Sequence, residues 1–156
     1  MKINKLRLRD RDLYLVIQYE LFSNENDFLD AIAYELENGA SILNINFGLS
    51  YTNEIITIGK KVRELCSIYN VLLILNDRLD VVQIVEADGV FLDKNSFNVS
   101  VARDFLGSNY IIGTNYFEEN VDFMIVEENY SVDEIPCYKR VLTNKKDDKK
   151  IIYKKI

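Results

Sequence analysis

Apolar residues fall in short runs separated by amphipathic stretches, and the two patterns alternate along the chain. Leu13-Tyr-Leu-Val-Ile17, Ile42-Leu-Asn-Ile-Asn46, Val71-Leu-Leu-Ile-Leu75, Gly89-Val-Phe-Leu92 and Tyr110-Ile-Ile112 read as strands. The run at 71–75 is apolar without a break, as expected of a strand covered on both faces. Between these runs the apolar positions take a helical period. Over Asn26–Asn38 the residues Phe28, Leu29, Ile32, Ala33 and Leu36 share one face, and Gly39 follows as a stop signal. Over Thr52–Tyr69 the stripe is Ile55, Ile58, Val62, Leu65, Cys66 and Tyr69. A short helix is expected over Leu79–Glu86, and another is capped by Asn98 and ends at Gly107.

The first three strands begin at 13, 42 and 71, a spacing of 29 residues that matches a βαβ unit. Serial units of this kind give a parallel sheet, either open and doubly wound or closed into a barrel. After Gly113 the rhythm changes. Further strands are expected at 122–126, 137–142 and 151–153, with no amphipathic helix between them. A complete (β/α)8 barrel usually takes ~200–250 residues. With 156 residues, the last third is expected to be shortened or incomplete. Residues 1–156 are expected to form one domain, with 127–156 as a divergent basic end.

Composition narrows the chemistry. Hydrophobic residues make up 48% of the chain, enough for a core, and there is no histidine. The commonest metal ligand and neutral-pH acid/base is therefore missing. Cys66 and Cys137 lie far apart in apolar surroundings and read as reduced core thiols. The net charge is −6, but Lys139 to Ile156 carries eight Lys/Arg against two Asp. With little arginine and no glycine, that stretch reads as a solvated end rather than a nucleic-acid site. No apolar run is long enough to span a bilayer, and the charged start lacks a signal-peptide pattern, so a cytoplasmic location is expected.

Three segments carry candidate chemistry. Asn76-Asp77-Arg78 follows a buried strand, where parallel α/β folds place their sites. Asp77 can hold Mg2+ and Asn76 can bind a ligand; alternatively Asp77 caps the next helix and Arg78 pairs with Asp80. Ala87-Asp88-Gly89 forms a tight turn, and Asp93 ends the strand after it, as a second metal carboxylate or as a plain exposed acid. Asn44 and Asn46 share one face of their strand, and Asn115 stands at the end of the fifth; these are ligand-binding or purely structural amides.

In this order, these segments resemble the thiamine phosphate synthases and the related TenI-type thiazole tautomerases. The matching pieces are Leu13-Tyr-Leu-Val16, Glu37-Asn-Gly-Ala40, Leu65–Val71, Leu73-Ile-Leu-Asn-Asp-Arg-Leu-Asp80, Ala87-Asp-Gly-Val90 and Ile111-Ile-Gly113, over roughly residues 13–126. The resemblance implies a TIM-barrel-like (β/α)8 fold. It also implies Mg2+-assisted joining of a pyrimidine pyrophosphate to a thiazole phosphate. Asn76 then matches a ligand-binding amide and Asp77 a metal ligand. The departures are marked. The family's Gln-x-Arg-x-Lys reads here Asn44, Asn46 and Gly48, without either cation. The second metal carboxylate aligns near Ser96, with Asp93 a few residues early, and the family serine after the fifth strand aligns with Asn115. The tautomerase histidine and the late glycine-rich phosphate loops have no counterpart, the last glycine being Gly113. These departures favour a catalytically impaired binding or regulatory module of thiamine biosynthesis. The alternative is an active synthase with a rearranged anion site. An open barrel would expose sheet edges, so a homodimer or a partner chain covering residues 110–156 is expected.

Overall fold

A computed structural model of the chain describes residues 13–126, 140–143 and 151–155. Eight strands form one closed parallel ring in sequence order: β1 (Leu13–Gln18), β2 (Ala40–Asn46), β3 (Leu72–Asn76), β4 (Gly89–Leu92), β5 (Ile111–Thr114), β6 (Phe123–Val126), β7 (Arg140–Thr143) and β8 (Ile151–Lys155). Helices α1 (Glu25–Glu37), α2 (Thr52–Ile68), α3 (Val82–Val85) and α4 (Val99–Leu106) follow the first four strands. Residues between β5 and β6 form no helix, as the loss of period after Gly113 predicts. The expected helix over 79–86 shrinks to one turn.

The expectation of open sheet edges is corrected: β8 pairs with β1, Tyr14 beside Tyr153 and Val16 beside Lys155. Among the described residues helices follow only the first four strands, and strand pairing alone closes the ring. Following the register once round requires climbs of two residues at Ile111–Gly113, Arg140–Leu142, Ile151–Tyr153 and Tyr14–Val16. The climb is therefore eight residues, the shear of an eight-stranded α/β barrel. Cys137 and Lys145, Lys146, Lys149 and Lys150 lie outside the described residues.

Strand alternation divides the apolar residues between two cores. Tyr14, Val16, Ile42, Ile74, Phe91, Ile111, Phe123 and Ile125 fill the lumen. Leu15, Ile17, Leu43, Ile45, Leu73, Leu75, Val90 and Ile112 face the helices and pack on Phe28, Ile32, Ile58, Val62 and Val82. Gly113 admits the Phe123 ring, which would lie 2.0 Å from a Cβ there. Cys66 is fully buried on α2, and burial pushes its thiol up to about 12, so it is an unreactive core residue as expected.

The N-terminal ends of the strands carry two matching clamps. Asp88, just before β4, donates its N–H to Leu73 O (2.7 Å), and its carboxylate accepts from Leu73 N (2.8 Å) and Arg63 of α2 (2.7 Å). Asp122, just before β6, repeats this on Ile112 of β5 (2.8 Å each way), with Arg103 of α4 at 3.0 Å. Each arginine also binds backbone carbonyls, Arg63 those of Val71 and Glu86, Arg103 those of Gly107, Tyr110 and Asn120. The expected turn at Ala87-Asp88-Gly89 is therefore part of a clamp, and a Cβ on Gly89 would lie 2.0 Å from Ile111 O.

Candidate functional site

All eight strands run the same way, so their C-terminal ends share one face, the mouth of the barrel. There the lumen changes from apolar to polar. Asn44 is 1% exposed, and its Nδ2 donates to Asn76 Oδ1 at 3.4 Å. Asn76 Nδ2 donates in turn to Asp77 Oδ2 at 3.1 Å. Asp77 Oδ1 faces the Asp93 N–H at 3.4 Å, and the Asp77 N–H donates to Phe91 O at 2.9 Å. These bonds connect β2, β3 and β4 across the mouth. Asn44 Oδ1 is buried with no hydrogen-bond partner. Such an acceptor costs ~1–3 kcal/mol unless a donor arrives.

Asp77 has φ +57, in the left-handed region. Aspartate tolerates this better than most residues, and such conformations concentrate where surrounding structure imposes them. Asp77 does not cap α3, whose N-cap is Val81 with no side-chain bond. Arg78 does pair with Asp80, at 2.8 Å. That bond holds the Asp80 carboxyl below its usual range. Asp77 and Asp93 line one cavity of about 510 Å3 with Asn95, Ser96 and Phe97. Asp93 Oδ1 also accepts from Asn95 N at 2.7 Å, which shapes the loop after β4. Of the other predicted residues, Asn46 accepts from Gly48 N (2.9 Å) and thus holds its own loop. Asn115 is exposed, and no hydrogen bond among the described residues joins it to the other amides.

Sequence reasoning passed over Glu20. It lies two residues beyond β1, and its Oε1 accepts from Leu49 N at 2.8 Å. Gly48 has φ +58, and a Cβ there would lie 2.1 Å from that same oxygen. Beside it, Tyr19 donates to Glu54 at 2.8 Å, and burial with that bond pushes its hydroxyl up to about 12. The only available signal was position, since barrel chemistry collects just past strand ends. Among the described residues, Lys61, Arg63, Arg78 and Arg103 are all in ion pairs. Lys60 and Lys94 are exposed.

The donor set suits a hard cation. Mg2+ binds through one or two carboxylates and keeps water or phosphate oxygens for the rest of its shell. Asp77 and Asp93 supply that number. No group of three or more Asp, Glu, Cys or His is gathered among the described residues, so a cage made entirely of protein is not offered. No described helix is long and apolar enough to cross a membrane.

Fold and mouth together define the class: a parallel eight-stranded α/β barrel with amides and carboxylates at the C-terminal ends of β2, β3 and β4. Residues 13–148 match the family described as thiamine monophosphate synthase. A thiamine-phosphate synthase of Fusobacterium nucleatum is 37% identical over 106 residues, covering 68% of this chain and 51% of the relative. One from Methanobrevibacter smithii is 31% identical over 146 residues, covering 94% and 68%. Among solved structures, a thiamine phosphate pyrophosphorylase from Pyrococcus furiosus superposes with TM-score 0.73 at 23% identity, covering 86% of this chain and 75% of that one. The chain belongs to the thiamine monophosphate synthase family. It spans about half the length of the Fusobacterium relative.

Proposed function

We propose that this chain serves thiamine biosynthesis as a binding or regulatory module for a small phosphorylated pyrimidine or thiazole, with its diphosphate-transfer chemistry impaired. One observation carries the reading: the Glu20 carboxylate occupies the space a side chain on Gly48 would need. The family resemblance expects a cation at that position, and at Asn46 another. An acid there raises the energy of a departing diphosphate, whose charge must be neutralised as it develops.

The remaining groups still favour binding. Asp77 and Asp93 would hold Mg2+, which supplies positive charge to phosphate oxygens. Asn76, fixed by Asn44 and Asp77, presents an oriented amide to a ligand. Asn44 Oδ1 offers a buried acceptor to a ligand N–H or O–H. The intact Asn44–Asn76–Asp77 chain is also what an active synthase would keep, and it supports that second reading.

A coupled assay with pyrimidine pyrophosphate, thiazole phosphate and Mg2+ separates the two. The expected result is a raised melting temperature with either phosphate and no turnover. Turnover that vanishes in Asp77→Ala would establish the active synthase instead.

A further inference from the structure

One charged side chain next to the cavity stands outside the binding chemistry proposed above, that of Arg78. It directly follows Asp77, and its guanidinium reaches in two directions. Nε and Nη2 donate to the two carboxylate oxygens of Asp80 at 2.9 and 2.8 Å. Nη2 also donates to Thr52 Oγ1 at 3.0 Å, and Thr52 is the first residue of α2. The Arg78 carbonyl closes the turn by accepting from Val81 N at 3.2 Å. One guanidinium thus ties the β3–α3 loop to itself and to the helix of the preceding βα unit.

Asp77 stands between this tie and a second one. On the β4 side its N–H donates to Phe91 O at 2.9 Å, and its Oδ1 faces the Asp93 N–H at 3.4 Å. Its φ of +57 is unfavourable for a residue with a Cβ, so the conformation persists only where the loop is fixed on both sides. Ion pairing alone leaves the Thr52 bond unexplained. Asp80 is 58% exposed, and a pair so open to water adds little to stability. A lysine would neutralise Asp80 equally well, but it cannot serve two carboxylate oxygens and a hydroxyl from one rigid plane.

We propose that Arg78 is a positioning residue, which through Thr52 and Asp80 holds the Asp77 carboxylate in the orientation a divalent cation requires. This rests on the reading of Asp77 as a metal ligand given above. The charge of Arg78 acts in the other direction, since a guanidinium beside a cation site repels the cation. Removing it also leaves Asp80 uncompensated and the mouth one charge more negative. Position and charge therefore predict opposite signs for the loss of Arg78: weaker binding if it positions Asp77, tighter binding if only its charge is felt.

The test uses Mn2+, which takes the same oxygen ligands as Mg2+ and whose free ion is counted by EPR. The full chain is titrated beside Arg78→Ala, Arg78→Lys, Thr52→Val and Asp77→Asn, with urea unfolding and exchange of the Asp77 amide hydrogen measured on each. Losing a partner that orients a metal ligand predicts roughly tenfold weaker binding in Arg78→Ala. Arg78→Lys should weaken nearly as much although it keeps the charge, and Thr52→Val by about threefold although no charge is touched. The Asp77 amide should exchange faster in these three variants, with the unfolding midpoint unchanged. Tighter binding in Arg78→Ala with parental affinity in Arg78→Lys would show charge alone and overturn the assignment. Parental affinity and exchange in both Arg78→Lys and Thr52→Val would overturn it too, as would weakening matched by a lower unfolding midpoint in every variant. A parent chain that binds no Mn2+, or binds it no better than Asp77→Asn, would overturn the metal-ligand reading itself, and the assignment with it.

Discussion

The two ends of the barrel treat acids in opposite ways. At the N-terminal end, Asp88 and Asp122 each accept from an arginine and from a strand N–H, and each arginine goes on to tie backbone carbonyls. At the C-terminal end, Asp77 and Asp93 face one cavity with no ion pair among the described residues, and Glu20 accepts from the Leu49 N–H. Charge that is saturated holds strands in register. Charge left unsaturated keeps the capacity to bind. The same residue type thus ties strands together at one end and, in the function proposed above, binds a ligand at the other, as barrel architecture leads one to expect.

The strongest way to break this contrast is Arg63→Ala. Asp88 is 7% exposed, and losing its partner should cost about 2–4 kcal/mol, read from urea unfolding. A loss below about 0.5 kcal/mol would remove the stabilising role of the clamp. Arg103→Ala should cost less, about 1–2 kcal/mol, because Asp122 is 40% exposed and water replaces part of the bond. Gly48→Lys should cost about 1 kcal/mol for its left-handed φ, while Glu20, which is exposed, swings aside. Combined with Glu20→Ala, it should tighten pyrophosphate binding in calorimetry; unchanged affinity would show that this corner does not meet the ligand.

Asp77→Asn should leave stability within about 0.5 kcal/mol, since asparagine tolerates the left-handed backbone. Mg2+ affinity should nonetheless fall sharply in titration. Retained affinity, or a large loss of stability, would erase the difference between the two ends. The smallest effect belongs to pH. Asp80 has its carboxyl lowered by Arg78, so its contribution is present above the unfolded carboxylate value near ~3.9 and disappears as pH falls through the lower folded value. An acid melt of Arg78→Ala should run almost parallel to that of the parent until the last units of pH.

Much of the fold was legible because its signals are local. The stripe Phe28, Ile32 and Leu36 on α1, the apolar run of β3 and the stop at Gly39 all depend on near neighbours in the chain. Asn76, Asp77 and Asp93 were legible as residues of the barrel mouth because a strand end is a definite place once the strands are known. The Asn44–Asn76 bond was not, since it needs the register of β2 on β3. Glu20 escaped for the same reason: nothing near it in sequence shows that its carboxylate reaches Gly48, 28 residues on. Asn115 matched the pattern but lies exposed. It follows β5 directly, but no hydrogen bond among the described residues joins it to Asn44 or Asn76.

The amino-acid order alone therefore settled the alternation of strand and helix and the parallel sense of the sheet. Those follow from period and spacing, which short-range sterics and burial enforce. Closure of the ring, its shear, and the sorting of acids into clamped and open ones came only with the assembled barrel. They depend on which residues meet across strands far apart in the chain, and backbone pairing, not local pattern, decides those meetings.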